Sequence, residues 1–247
     1  MDDFVIGNFS SYGDTFVSKP SYNVKIRYDL FNLIPKNHQI NKILEIGCAD
    51  GNNLIYLKNK YNLNNKNVIG VDNCKILSNK RNNEFEFIHQ SAENFLENHN
   101  NKYDLIVMSD VIEHIYNPWK TLQNIKNILN KKGIVLLSIP NLQNIKYINA
   151  IISGNFFYEK TGLFDETHIR FFTMNTIIKY LKNLNFKIVS TDWREDKTLM
   201  NIKKILLKEL QNKEHVYLKL EKINLKIFKK NVDNYLSQQI LICISDA

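Results

Sequence analysis

Five short apolar runs punctuate the first 140 residues, and they restrict the fold more than any other feature. They are "KILEIGC" (42–48), "NVIGVD" (67–72), "FEFIHQS" (85–91), "YDLIVMSD" (103–110) and "GIVLLSIP" (133–140). Each is rich in Ile, Val, Leu or Phe and of strand length, as expected of strands buried on both faces of a parallel sheet. Between them lie "NNLIYLKNKY", "CKILSNKRN", "AENFLENH" and "NPWKTLQNIKNILNKKG". The last sets Trp119, Leu122, Ile125 and Leu129 on one helical stripe, with Asn-Pro at its start and Gly at its stop. Strand–helix alternation of this kind predicts a doubly wound α/β sheet.

Further on, "TMNTIIKYLKNLNFKIVSTDW" reads as a Thr-capped helix running into a strand, and "QQILICIS" (238–245) as a closing strand. The Lys-rich stretch 199–232 reads as one or two helices inserted before that strand, with a solvated face rather than a membrane-surface one. A length of 247 residues suits one domain with additions, so 1–247 is read as a single domain. Within it, 1–40 is read as an N-terminal lid and 141–175 as an insertion.

The net charge of +8 admits anionic partners, but the Lys and Arg residues are spread along the chain among Asn, which argues for composition rather than a polyanion groove. "MDDFVIGNFSSYGDTF" has no apolar core of signal-peptide length, and no window approaches the ~20 apolar residues of a membrane span. Cys48, Cys74 and Cys243 lack metal-ligand spacing and read as thiols of a reducing cytoplasm.

The first loop narrows the function. A dinucleotide turn would read G-x-G-x-x-G, whereas here Gly47 and Gly51 flank Ala49. Asp72 stands at the end of the second run, where an acid can accept hydrogen bonds from both ribose hydroxyls. Glu45 adds a second carboxylate just before the loop. Hydride transfer has no use for it, but a cationic ligand with a free amino group does.

S-adenosylmethionine is a ligand of that kind. "ILEIGCADG" followed by "VIGVD" resembles the first two motifs of class I methyltransferases, "QSAEN" (90–94) their adenine-side loop, and "YDLIVMSDVIEHI" their fourth-strand motif. The resemblance extends through "GIVLLSIPN" and "GLFDETHIRFFT", and weakens after residue 190 until "QQILICIS". It implies a seven-stranded sheet with the last strand antiparallel. It also implies that Gly47, Ala49 and Gly51 admit the cofactor, Glu45 meets its amino group and Asp72 holds the ribose. Ala92 and Glu93 would flank the adenine opposite Asn73 and Cys74, while Ser109 and Asp110 stand near the methionine end.

On the acceptor side, His114 is a candidate base or a structural residue capping the next turn. In "FDETHIRFF", Asp165 and His168 offer bases and Arg170 a cation for phosphate or carboxylate, framed by Phe164, Phe171 and Phe172. Alternatively Arg170 pairs with Asp165 or Glu166 and merely orders the loop. Asp110, Glu113, His114, Asp165 and His168 could converge on a divalent metal, but the spacing does not require it and no metal is assigned. "SYNVKIRYDLFNLIP" reads as a helix carrying Tyr22 and Arg27, either as a lid over the cofactor or as packing.

"SIPN" with "GLFDETHIRFFT" is most similar to small bacterial methyltransferases of surface-polysaccharide (capsule) precursors. That resemblance implies O-methylation of a small anionic or sugar-like acceptor, with a histidine base. A nucleic-acid methyltransferase is a rival reading, but the chain has "SDVIEH" where amino-methylating enzymes carry Asn-Pro-Pro-aromatic, and it lacks a base-stacking platform. A non-catalytic cofactor-binding scaffold is a second rival. The intact loop, both acids and the Glu-His pair argue against it.

Overall fold

The computed structural model describes residues 25–74 and 83–246, so Tyr22 lies outside the described residues. Where one domain is expected, the chain divides into two compact units. No helix among the described residues is long and apolar enough to cross a membrane.

The larger unit takes in 25–140, 167–194 and 239–246. Its strands are β1 (Ile43–Ile46), β2 (Val68–Asp72), β3 (Glu86–His89), β4 (Tyr103–Ser109), β5 (Leu129–Pro140), β6 (Phe186–Glu195) and β9 (Ser237–Asp246). They form one seven-stranded sheet in the order β3-β2-β1-β4-β5-β9-β6. β1 pairs in parallel with β2 and β4, β2 with β3, and β4 with β5, while β9 runs antiparallel to β5. The seven strands and the reversed last one are as the sequence resemblance implies.

Side-chain alternation splits the core between the two faces of the sheet. Leu44, Ile46, Ile106, Met108, Val135 and Leu137 share one cluster. Ile43, Leu105, Val107, Ile134, Leu136, Leu241 and Cys243 share the other, with Leu54 and Leu57 of α2 (Asn52–Lys60). By the same alternation the second face ends in polar residues: Glu45 on β1, Ser109 on β4, Ser138 on β5 and Gln239 on β9. That polar rim marks where function can sit.

The helix starts follow capping chemistry. α4 (Pro118–Asn127) opens with Pro118 in its first turn, and the Asn117 side chain accepts from the Lys120 amide at 3.1 Å. The Thr173 hydroxyl likewise accepts from the Thr176 amide at the head of α6 (Met174–Asn183). Two sequence expectations are corrected. Leu129 belongs to β5, because α4 stops at Asn127. In "SYNVKIRYDLFNLIP" only α1 (Tyr28–Phe31) is helical among the described residues, and Arg27 is its N-cap.

The smaller unit takes in Asn141–Glu166 and Glu195–Gln238. It contains α5 (Ile145–Ser153), α7 (Met200–Glu209), a hairpin of β7 (His215–Lys219) with β8 (Asn224–Phe228), and α8 (Val232–Leu236). The hairpin corrects the reading of 199–232 as helical. Its sequence alternates: Leu218 and Ile227 are buried while Tyr217 and Phe228 are exposed, which is a strand period rather than a helical one. Ile145, Leu206, Leu210, Leu218, Ile227 and Leu236 share this unit's own core.

Candidate active site

The β1–α2 loop is built from left-handed backbone. Gly47, Ala49 and Gly51 have φ of 71°, 46° and 74°. A side chain at Gly47 would meet Val111 Cγ2 at 2.6 Å, and one at Gly51 would meet the Phe85 ring at 2.3 Å. Glycine is therefore required here by packing and by backbone sign, before any ligand is considered. The amides of Gly47 and Cys48 donate to the Val71 carbonyl, fastening the loop to the end of β2.

Asp72 completes that fastening. Its Oδ2 accepts from the Ala49 amide at 2.9 Å and its Oδ1 from the Cys74 amide at 2.8 Å. The side chain is half-buried, and each oxygen retains a further lone pair. Asn73, at the same corner, is exposed, and its carbonyl lies 3.0 Å from His89 Nε2. The Gln90 amide donates to the Asp72 carbonyl, which brings the head of α3 (Ala92–Glu97) to this corner. Ala92 and Glu93 are half-buried there, behind the Ser91 N-cap.

Glu45 is 1% exposed. Its Oε1 accepts from Asn53 Nδ2 at 2.8 Å, and its buried Oε2 has no hydrogen-bond partner among the described residues. Burial pushes its pKa up to about 8; Asp50 and Asp72 add to the rise, against the Asn53 hydrogen bond and the Arg27 charge. Asn53 also accepts the Arg27 amide at 3.0 Å, so one side chain joins Glu45 to the N-terminal segment.

Arg27 is not a solvated arginine. It is 5% exposed, and its guanidinium donates to Ser109 Oγ at 2.6 Å, Asp110 Oδ2 at 2.9 Å, Ser138 Oγ at 2.9 Å and Gln239 Oε1 at 3.0 Å. It also forks onto Asp29 at 2.9 and 3.1 Å. Burial pulls its pKa down, but the hydrogen bonds and charges of Asp29 and Asp110 outweigh this and raise it. Asp110 takes φ of 56°, a left-handed turn directly after β4. Ser109, expected near the methionine end, is thus part of the Arg27 network. Asn53, Asp29, Ser138 and Gln239 are absent from the sequence reading. For Ser138 and Gln239 a signal is present, as polar residues interrupting apolar strands on one face.

The acceptor-side residues are divided. Phe164 and Asp165 belong to the smaller unit, where Phe164 packs on Tyr147 and Phe156. His168, Arg170 and Phe172 belong to the larger unit, and Phe172 is core rather than a pocket wall. Arg170 turns to backbone: its guanidinium donates to the carbonyls of Tyr116 and Ile169 and lies 5.3 Å over the Tyr116 ring. Glu166 pairs with Lys160 at 2.9 Å.

His114 and His168 do come together. They pack edge to face with ring centroids 4.6 Å apart, His114 exposed and His168 8% exposed. His114 Nδ1 lies 3.2 Å from the Thr167 carbonyl and 3.1 Å from its hydroxyl. The Glu113 carbonyl accepts the Ile169 and Arg170 amides, both at 3.0 Å. Residues 167–170 are thereby laced to the single 3-10 turn Ile112–His114 that follows β4.

Residues 23–191 match the methyltransferase-domain family Methyltransf_23. Among curated proteins, the chain is similar to ubiquinone biosynthesis O-methyltransferases. That of Rickettsia prowazekii is 24% identical over 191 residues, 70% of this chain and 73% of that protein. That of Glaesserella parasuis is 31% identical over 70 residues, 27% of this chain and 30% of that protein. That of Shewanella pealeana is 21% identical, with 58% and 61% covered. The matches thus span from under a third to about three quarters of these relatives, whose names point to quinone biosynthesis rather than to surface polysaccharide.

Among solved structures, an S-adenosylmethionine-dependent methyltransferase from Archaeoglobus fulgidus aligns with a TM-score of 0.58 at 17% identity, covering 87% of this chain and 90% of that one. The plantazolicin methyltransferase BpumL, solved with a monoazolic desmethylPZN analog and SAH, aligns with a TM-score of 0.52 at 17% identity, covering 84% and 77%. These likenesses bear on the fold, and the fold, the loop and the family match agree. The chain belongs to the methyltransferase-domain family, whose model matches its residues 23–191.

Proposed function

We propose that the chain is an O-methyltransferase acting on a hydroxyl of a small acceptor, with the cofactor at the ends of β1 and β2 and the acceptor at the end of β4. The observation that carries this reading is the His114–His168 pair, at 4.6 Å, laced beside the turn that follows β4. A hydroxyl acceptor must lose a proton, and a paired, half-sheltered imidazole site is where that proton can go. The relatives named O-methyltransferases support oxygen as the acceptor atom.

The cofactor-side residues fit their ligand. Asp72 is half-buried and uses one lone pair per oxygen on the loop, leaving others for a ribose diol. Glu45 is a buried acid with one unmet oxygen, a counter-charge suited to an amino group acting through the loop. Ala92, Glu93 and Asn73 frame the adenine side, and Ser109 lines the methionine end through Arg27. When bound, S-adenosylmethionine supplies a sulfonium methyl group with a good leaving group. The chain's task is then orientation and removal of the acceptor's proton.

The relatives' names favour a ring hydroxyl of a quinone precursor, while "SIPN" and "GLFDETHIRFFT" favour a sugar hydroxyl. Formation of the demethylated cofactor with a catechol carboxylate or with a nucleotide sugar decides between them. Turnover with an amine or an RNA acceptor, and with neither of these, overturns the O-methyl reading.

A further inference from the structure

We propose that Glu113, His114 and His168 bind one divalent transition-metal ion of the manganese, cobalt or zinc type, leaving open positions for an acceptor hydroxyl. The proposal rests on the O-methyltransferase reading and deepens it, giving the site a means of acidifying the acceptor without a free histidine base.

Three observations carry it. The first is convergence: one ligand atom from each of Glu113, His114 and His168 lies within 4.8 Å of the other two. An ion with ~2.1 Å bonds holds its ligand atoms no more than about 4.2 Å apart, so closure needs side-chain shifts under about 1 Å. Two imidazoles with one carboxylate form a donor set suited to such ions and leave further positions open.

The second is orientation. His114 Nδ1 lies 3.2 Å from the Thr167 carbonyl, which can only accept, and 3.1 Å from the Thr167 hydroxyl, which can do either; the carbonyl contact is a hydrogen bond in the tautomer with the proton on Nδ1. Nε2 is then the lone-pair nitrogen, the arrangement that outer hydrogen bonds impose on metal-ligating histidines.

The third is preorganisation and charge. Glu113 is 1% exposed, and its carbonyl takes the Ile169 and Arg170 amides, which clamps the segment carrying His168 against the turn carrying Glu113 and His114. Coordination of an ion is one of the ways a buried carboxylate is accommodated. An ion held by all three residues would bring positive charge to that carboxylate and use both imidazoles. A hydroxyl bound in an open position would release its proton to solvent at a lower pH than it does free in water.

The test is titration of tag-free, EDTA-treated full chain with Mn²⁺ and Co²⁺ by calorimetry, and by the visible absorption of Co²⁺. The expected result is one ion per chain, with Glu113→Gln, His114→Ala and His168→Ala each weakening binding by at least about tenfold while keeping affinity for S-adenosylhomocysteine. His114 is exposed, so its variant stays informative if the substitution at buried Glu113 prevents folding. Absence of stoichiometric binding, or equal binding in wild type and His114→Ala, overturns the ion. Methyl transfer at the full rate in EDTA also overturns it and leaves O-methyl transfer standing with a histidine base. One bound ion without transfer to any hydroxyl acceptor supports the ion and overturns the functional reading alone.

Discussion

Two ionisable side chains are buried on the same face of the sheet, and their surroundings could hardly differ more. Arg27 is 5% exposed and bonded through its guanidinium to Asp29, Ser109, Asp110, Ser138 and Gln239. Glu45 is 1% exposed, with Asn53 on one oxygen and no hydrogen-bond partner among the described residues on the other. A saturated network fixes architecture, because every donor has its partner within the fold. An incompletely paired buried acid is costly in isolation and persists where a ligand or a proton completes it. The contrast separates the scaffold of the site from the part that responds to ligand.

The largest effects are expected away from both, at the histidine pair and at the ribose acid. His168→Ala should lower turnover by roughly 10²–10⁴-fold, whether the imidazole acts as base or as ion ligand. Its affinity for S-adenosylhomocysteine should be unchanged, and an unaltered rate would return His168 to a packing role. Asp72→Ala removes the acceptor of the Ala49 and Cys74 amides together with the proposed ribose contacts. Two lost hydrogen bonds to a charged group amount to roughly 10²-fold or more in cofactor affinity. Wild-type affinity by calorimetry would remove Asp72 from the site.

Much of this was legible in the chain, for identifiable reasons. Strands buried on both faces announce themselves as unbroken apolar runs, and capping residues such as Asn117 and Thr173 mark helix starts locally. The hairpin 215–228 was hidden by composition: abundant lysine masked a clear alternation of Leu218 and Ile227 against Tyr217 and Phe228. The Arg27 network was harder to foresee, because its members are 82, 111 and 212 residues away from Arg27. Only the alternation of each strand, followed to its polar last residue, places Ser109, Ser138 and Gln239 on one face. "FDETHIRFF" misled in the opposite way. Its residues are adjacent in sequence, yet Asp165 and His168 fall in different units.

The saturated half of the comparison is broken by Arg27→Ala. Asp29 and Asp110 then lose their shared cation, and Ser138 and Gln239 lose a donor. Both carboxylates are about a third exposed, so water moderates the loss. The expected destabilisation is on the order of 2 kcal/mol, below that of breaking a fully buried pair. Arg27→Lys should recover only part of it, since an ammonium cannot reproduce the forked contacts. Denaturant midpoints equal to wild type in the alanine variant would mean the network is ornamental to folding.

The unsaturated half is sharpened by pH. Burial raises the Glu45 pKa from 4.5 to about 8, so the folded chain holds a proton that the unfolded chain releases between those values. Its contribution to stability is therefore fully present below the unfolded pKa of 4.5 and is lost progressively as the pH rises, until about 8. Glu45→Gln is neutral throughout and lacks this dependence. The melting temperature of wild type relative to the variant should accordingly be higher near pH 5 than near pH 8. An amino group bound through the loop favours the ionised acid, so S-adenosylmethionine binding near pH 7 should release a proton in wild type and less in Glu45→Gln. Calorimetry in buffers of differing ionisation enthalpy reads that difference directly. Equal proton release by both proteins would detach Glu45 from the ligand and leave it a buried acid hydrogen-bonded to Asn53.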